Sequence, residues 1–214
     1  MNYLIGSGYH HKSDWDAEFF EIWKKNTEKY TNNYYVVCTN TPANSEKILL
    51  LNNNLGHVGD CIAEKRDDLC GWSHSIITLA MIAYGMGKDL IFKESDCLFF
   101  GDVPQKLYED IGDKGMVFGP QMTSAPYMPC AQSTFLIKHF CIIGFVRSYL
   151  YMKSDRFLLP EDKFVELEKQ QPEVYGRFSF GVDRQRPLPW SDEVWYAQQW
   201  TREELNEAKE RGLI

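Results

Sequence analysis

Apolar and polar positions alternate along this chain in a way that predicts strands and helices in turn. Asn2–Gly6 is a short apolar strand that opens into the glycine loop Gly6–His11. From Asp14 to Lys29, Trp15, Phe19, Ile22 and Trp23 recur at helical spacing. Tyr34–Cys38 is a β-branched and aromatic run closed by a Thr-Asn-Thr-Pro turn, and Ile48–Leu51 is a third short strand. Ser75–Tyr84 predicts an apolar helix stopped by Gly85 and Gly87, and Leu90–Lys93 a buried strand that runs into Glu94-Ser95-Asp96. Asp102 followed by Gln105 predicts a capping box for a helix over Pro104–Ile111. Met116–Phe118 and Thr134–Ile137 are strands; Cys141–Met152 and Pro160–Gln170 are helices, the second opened by proline at its first position. Phe178–Val182 is a late strand, and Thr201 with Glu204 caps a polar C-terminal helix. Strand and helix alternate through the first half, which argues for an α/β fold: a mostly parallel central sheet with helices on both faces. Ligands on such sheets bind beyond the carboxyl ends of the strands, where Gly6–His11 and Glu94–Asp96 fall.

Length and composition narrow this picture. The 214 residues suit a single domain, and 44% hydrophobic content is ample for one core. A net charge of −7 argues against nucleic acid as a partner, because phosphate neutralisation needs a basic face. No apolar run is long enough to span a bilayer, so membrane contact would be peripheral, and the first residues lack the basic and apolar regions of a signal peptide. The six cysteines, at 38, 61, 70, 97, 130 and 141, show no Cys-x-x-Cys spacing. Free thiols in a reducing cytoplasm are the expectation.

The stretch Lys93–Asp102 carries the strongest chemical signal. Glu94 and Asp96 leave the end of an apolar strand from the same edge, and hard oxygen ligands there suit Mg²⁺ or Mn²⁺. The alternative is a polar strand-to-turn transition with no ligand. Gly6, Ser7 and Gly8 would let backbone approach a nucleotide. They form neither a Gly-x-Gly-x-x-Gly fingerprint, since position 11 is His, nor a phosphate-binding Gly-Lys-Ser/Thr loop. No Gly-x-Ser-x-Gly elbow occurs, which argues against a serine hydrolase. His10 and His11 are adjacent and diverge in extended chain, while His57, His74 and His139 are isolated, so no histidine cluster points to a metal. Gln132 and Ser133 precede a strand and offer hydrogen bonds to sugar hydroxyls, or form an ordinary polar loop.

These parts, in this order, resemble the GT-A nucleotide-diphospho-sugar glycosyltransferases. The likeness runs over roughly residues 1–165 and rests on Tyr3–Gly8, Asn54–Gly59 with Arg66, the helix Ser75–Gly87, and Asp89–Asp96 ending in an Asp-x-Asp-type motif. It departs from the pattern at Glu94, where the family has Asp. The resemblance implies residues 1–100 as a nucleotide-sugar-binding half and 101–214 as an acceptor-binding half. Asp96 becomes the main metal ligand, with Glu94 a second ligand or a ribose contact. Gly6, Ser7, Gly8, Arg66, Ser95, Gln132 and Ser133 become donor contacts. An inverting member needs a carboxylate base, for which the resemblance offers Asp162 in Pro160-Glu161-Asp162, with Asp192 in Ser191–Tyr196 as rival; a retaining member needs none. The family's late histidine ligand has no counterpart after His139, and Asp183 is a substitute. Arg184 and Arg186 would meet the diphosphate or form surface ion pairs. The implied activity is metal-dependent transfer of a sugar to a hydroxyl on a glycan, glycolipid or glycoprotein. Two other classes stay open: a sugar-nucleotide nucleotidyltransferase, which wants a basic glycine loop, and a non-catalytic sugar- or nucleotide-binding module built on Trp190, Trp195 and Tyr196.

Overall fold

The computed structural model describes residues 2–10, 13–38, 47–50, 55–120, 130–131, 133–180 and 195–214. Asp192, Asp183, Arg184, Arg186, Gln132 and Trp190 lie outside them. A seven-stranded sheet runs through the middle. Its strands are β1 (Tyr3–Tyr9), β2 (Tyr34–Cys38), β3 (Ile48–Leu50), β4 (Asp89–Lys93), β6 (Met116–Phe118), β7 (Thr134–Ile137) and β8 (Tyr175–Arg177), in the order β3-β2-β1-β4-β7-β6-β8. Every pairing is parallel except the two made by β7, which runs against β4 and β6 with Thr134 opposite Lys93 and Ile137 opposite Leu90. A second, two-stranded antiparallel sheet joins β5 (Leu98–Phe99) to β9 (Tyr196–Ala197).

Strand alternation sends successive side chains to opposite faces. Ile5, Val36, Ile91 and Leu136 meet α1 (Asp14–Glu28), α4 (Val103–Ile111) and α7 (Arg202–Glu210) on one side. Leu4, Val37, Phe92 and Phe135 meet α3 (Gly71–Gly85), α5 (Ile142–Tyr151) and α6 (Pro160–Gln170) on the other. The remaining helix, α2 (Val58–Ala63), lies in the connection between β3 and α3, capped by His57 and Asp60.

Several expectations need correction. The first strand does not end in a glycine loop: β1 continues through Gly6, Ser7 and Gly8 to Tyr9, paired with β4 from Tyr3 to Gly6 and with β2 from Ile5 to Tyr9. The glycines have a packing reason. A Cβ on Gly8 would lie 2.8 Å from Ser75 Oγ, and one on Gly6 would lie 3.0 Å from the Leu79 and Leu90 methyls, so α3 sits directly on the bare backbone. Gly8→Ala is expected to lower stability by about 1–3 kcal/mol in urea denaturation. Gly144→Ala on α5, where nothing lies within 4 Å, is expected to raise it by about 0.5–1 kcal/mol. The late strand is Tyr175–Arg177; of the expected Phe178–Val182, residues 178–180 are not strand, with the Phe178 amide continuing the ladder to Phe118 O, and 181–182 lie outside the described residues. Helix α3 starts at Gly71, four residues before the apolar run, because Asp155 supplies a carboxylate to the Cys70 amide at its N-terminus (2.7 Å). Asp102 caps α4 through Gln105 N (3.1 Å), but the Gln105 side chain turns to Glu109, so only half of the expected box forms. At Thr201 and Glu204 both halves are made.

Candidate active site

The acidic motif sits where β4 leaves the sheet. Lys93, the last residue of β4, is fully buried on the α1 side. Its Nζ donates to Asn26 Oδ1 (2.6 Å) and Thr27 Oγ1 (2.9 Å) and lies over the Trp23 and Phe99 rings. Among the described residues no carboxylate pairs it, and burial pulls its pKa down to about 7. The same Asn26 amide brackets Phe99, accepting from its N–H and donating to its carbonyl, both at 2.9 Å. One asparagine of α1 thus anchors both ends of the Glu94–Leu98 segment. Between those anchors the chain makes a tight turn: Cys97 N donates to Glu94 O, with Ser95 and Asp96 at its centre.

The two acids of the motif part company in this turn. Glu94 points towards α3, where the indole N–H of Trp72 donates to Oε1 at 2.8 Å. The Trp72 ring is held edge-on or tilted against Phe92, Phe135 and Phe164, so Glu94 meets a fixed donor. Burial first, and then the charges of Asp96 and Glu161, push the Glu94 carboxyl up to about 8, against the lowering effect of the Trp72 hydrogen bond. The folded chain therefore holds a proton on Glu94 between about pH 4.5 and pH 8 that the unfolded chain has released. Stability falls with rising pH across that window. Glu94→Gln is expected to flatten that fall and to be the more stable form at about pH 8, read from urea melts across the range.

Asp96 points the other way, into a cleft of about 260 Å³ at the carboxyl ends of β1 and β4. Its walls are Tyr9 and His10 from the end of β1, Trp15, Asp16 and Phe19 from the first turns of α1, Ser95 beside Asp96, and Gln199 with Trp200 from the C-terminal segment. The β5–β9 pair, with Phe100 N bonded to Trp195 O, brings that last segment to the acidic turn. Ser13 caps α1 and its hydroxyl donates to Asp16 (2.8 Å), which fixes one carboxylate of the wall. The cleft is therefore aromatic on its sides and acidic at its base. Among its described lining residues there is no Lys or Arg.

Only part of the predicted donor site gathers here. Ser95 and Asp96 line the cleft. Ser7 is fully buried inside β1, and Gly6 and Gly8 face α3. Ser133 is buried, and its carbonyl accepts from Glu94 N (2.9 Å), so it fixes the motif's backbone. Arg66 is taken up in its own neighbourhood: it donates to Leu55 O and Cys61 Sγ and bridges Glu64 and Asp68 at 3.3 Å. Asp162 is half-buried in the first turn of α6, which packs on the far side of Trp72 through Phe164. Its neighbour Glu161 is the more enclosed, with burial first, then Asp162 and Asp155, raising its carboxyl above the usual range. Sequence reasoning missed Tyr9, Trp15, Asp16, Gln199 and Trp200. Trp15 was visible only as one of a helical run of aromatics, and nothing local marks Gln199 as a neighbour of Asp96.

A divalent cation suits this donor set in one respect: a diphosphate placed against Asp96 and Asp16 would meet like charge unless a cation lay between. Among the described residues no three His, Cys, Asp or Glu side chains come together as a metal-holding group. The protein side thus fits a cation held by one or two carboxylates and completed by phosphate oxygens and water.

No protein-family model matches this chain, and no curated protein matches it in sequence. Solved structures do. A glycosyltransferase involved in glycosylation of the major capsid of PBCV-1 is similar over 100% of both chains, with a TM-score of 0.54 and 12% identity. The glycosyltransferase GlyE of Streptococcus pneumoniae TIGR4 is similar over 83% of this chain, with a TM-score of 0.50 and 11% identity; this chain spans only 45% of its length. A glucose-1-phosphate thymidylyltransferase, so described as putative, from Bacillus anthracis is similar over 98% of this chain and 94% of its own, with a TM-score of 0.51 and 9% identity. Identities this low speak for the fold alone. The mostly parallel sheet with a single reversed strand, the helices on both faces and these structural likenesses together give the chain the GT-A fold of nucleotide-sugar glycosyltransferases.

Proposed function

We propose that this chain transfers a sugar from a nucleoside-diphosphate sugar to a hydroxyl acceptor, with the donor seated in the cleft beside Asp96. The observation that carries this reading is the turn Glu94–Cys97, which presents Asp96 to an aromatic-walled cleft at the carboxyl edge of a GT-A sheet, with no Lys or Arg among its described lining residues. Tyr9, Trp15 and Trp200 offer ring faces for a base or sugar to stack on. Mn²⁺ or Mg²⁺ held by Asp96 would supply charge neutralisation on the departing diphosphate. Glu94, turned to α3 and fixed by Trp72, does not line the cleft that Asp96 faces, so the expected role of second ligand or ribose contact does not carry over to it. Residues 1–100 then supply most of the donor cleft and 101–214 the acceptor side, although Gln199 and Trp200 cross that division.

If the reaction inverts configuration, the family resemblance offers Asp162 as the base, with Asp192 the alternative outside the described residues, although Asp162 is not among the described residues that line the cleft. The acceptor class, a glycan on a surface polymer, glycolipid or glycoprotein, follows from the family resemblance, not from any side chain here. A nucleotidyltransferase, although one shares this fold, is disfavoured: the segment where it needs a basic glycine loop is strand here, with α3 packed on its glycines. A non-catalytic module would bind without depending on Asp96.

The test is thermal stability of the whole chain against a panel of nucleotide sugars, with and without Mn²⁺. A donor at ~100 times its dissociation constant adds about 2.7 kcal/mol. That corresponds to a shift of about 5–10 °C for a chain of this size. The expected result is a shift for one donor that requires the metal. No shift with any nucleotide sugar, metal present or not, overturns the reading.

A further inference from the structure

The outer face of α3 and α5 is unlike the rest of the surface. Segments 71–88 and 138–154 contain not one Asp or Glu, in a chain with 30 acids and a net charge of −7; of their cations Arg147 and Lys153 are exposed, whereas Lys88 Nζ donates to Asn2 Oδ1 (2.7 Å) and Lys138 Nζ to Gly112 O (2.6 Å). Among the described residues they also carry most of the large exposed apolar side chains: Met81 and Tyr84 on α3, Phe140 (70% exposed) in the turn before α5, and Ile143, Leu150 and Tyr151 (80% exposed) on α5. On α5 the exposed positions 143, 147, 150 and 151 fall on one helical face, opposite the buried Ile142, Phe145 and Tyr149, with Arg147 at its middle. The Arg147 guanidinium lies 5.7 Å from the Tyr151 ring centroid, so cation and aromatic surface are interleaved. Tyr84 stacks on His139 at 5.0 Å, which joins the end of α3 to the start of α5 in one patch. The acids that follow these segments in the chain are engaged elsewhere: Asp89 accepts from Tyr108 and the His139 amide, and Asp155 is buried against Lys163.

We propose that this α3–α5 face docks the protein on an anionic bilayer surface, with Phe140, Leu150 and Tyr151 entering the headgroup region and Arg147 and Lys153 meeting lipid phosphates. Exposed aromatic and aliphatic groups mixed with Lys and Arg are the composition of an interfacial helix, and exposed apolar patches of this kind mark contact sites. Charge selects the occupant. A second copy docked symmetrically through the same face would set its cations against their own equivalents, whereas an anionic membrane attracts them. The topology adds orientation. Because β7 is reversed, α5 starts at the far edge of the sheet and returns towards the edge that bears the acidic turn, so Leu150 and Tyr151 lie at the cleft end of the patch. This proposal does not depend on glycosyl transfer.

The test is flotation of the full chain with vesicles of phosphatidylcholine alone and of phosphatidylcholine with about half phosphatidylglycerol, at about 20 mM and about 500 mM salt. Binding is expected to the anionic vesicles only, and to be released at high salt. Arg147→Glu with Lys153→Glu should lower the vesicle partition coefficient at least about tenfold. Leu150→Ser with Tyr151→Ser should abolish flotation, while Lys25→Glu with Lys209→Glu on the opposite face should leave it unchanged. All six positions are exposed, and an unaltered near-ultraviolet spectrum checks that each variant is folded. Failure to float with anionic vesicles at low salt overturns the proposal. So does equal binding to neutral vesicles, binding untouched by the α5 variants, or a dimer that the Leu150/Tyr151 variant dissociates, which would assign the face to a second copy.

Discussion

Asp96→Asn is expected to lower metal-dependent turnover of the donor about 10²- to 10³-fold while the fold stays intact. The physical ground is charge. The described walls of the cleft contain no Lys or Arg, and Asp96 is the motif carboxylate that faces it; on the proposed function a cation held there would neutralise the departing diphosphate. The turn that carries Asp96 closes through backbone groups, Cys97 N to Glu94 O, and is anchored at either end by Asn26. Losing one carboxylate oxygen should therefore leave the melting temperature within about 2 °C. The variant should also show a second effect. The Asp96 charge is one of the causes holding the Glu94 carboxyl up, so its removal should lower the Glu94 pKa and move the pH-dependent loss of stability to lower pH. Turnover that survives Asp96→Asn, or that is equal with and without metal, would refute the assignment of Asp96.

The largest expected effect on stability lies away from the cleft, at Asp155 and Lys163. Both side chains are fully buried and in contact at 2.5 Å. Asp155 also accepts from the Cys70 amide (2.7 Å), and Lys163 Nζ lies 4.5 Å from the Tyr149 ring centroid. Tyr149 in turn shares a hydrogen bond with Ser73 at 2.7 Å. One ion pair thus joins the N-terminus of α3, the connection after α5 and the first turn of α6. Removing either partner leaves a charge in the core without its counterion, which costs about 3–5 kcal/mol. Lys163→Met or Asp155→Ala alone should therefore lower the melting temperature by roughly 6–20 °C. The pair Asp155→Leu with Lys163→Met should lose less than the sum of the single changes, because no unpaired charge remains. A loss below about 1 kcal/mol in both single variants would mean the pair is not formed. The consequence reaches the site, because this junction sets Trp72 against Glu94 and Asp162 at the start of α6.

The local signals in the sequence were strong wherever one element decides its own bounds. Pro160 at the first position and a clear helical period placed α6 at Pro160–Gln170, as found, and Thr134–Ile137 and Met116–Phe118 were strands as read. The reciprocal cap at Thr201 formed as spelled, since both partners are three residues apart and nothing else competes for them. Where a distant residue takes part, the sequence was silent or misleading. Two glycines in a row of three suggested a loop, but helix α3 lies on that backbone, and contact with Ser75 and Leu79 is the reason for them. Gln105 preferred Glu109, and Asp155 began α3 early from 85 residues away.

The same division holds for the candidate site. An apolar strand ending in two acids is a local pattern, and its place at the carboxyl edge follows from strand–helix alternation, so the sequence by itself determined the fold class and the Glu94–Asp96 edge. That β7 runs backwards, that Glu94 turns to Trp72 while Asp96 turns to the cleft, and that Tyr9, Trp15 and Trp200 wall it were decided only by tertiary structure. The physical reason is range. Periodicity and caps report on neighbours within a few residues, whereas the partners of these groups arrive from elements tens to more than a hundred residues apart, brought together by burial that no local pattern encodes.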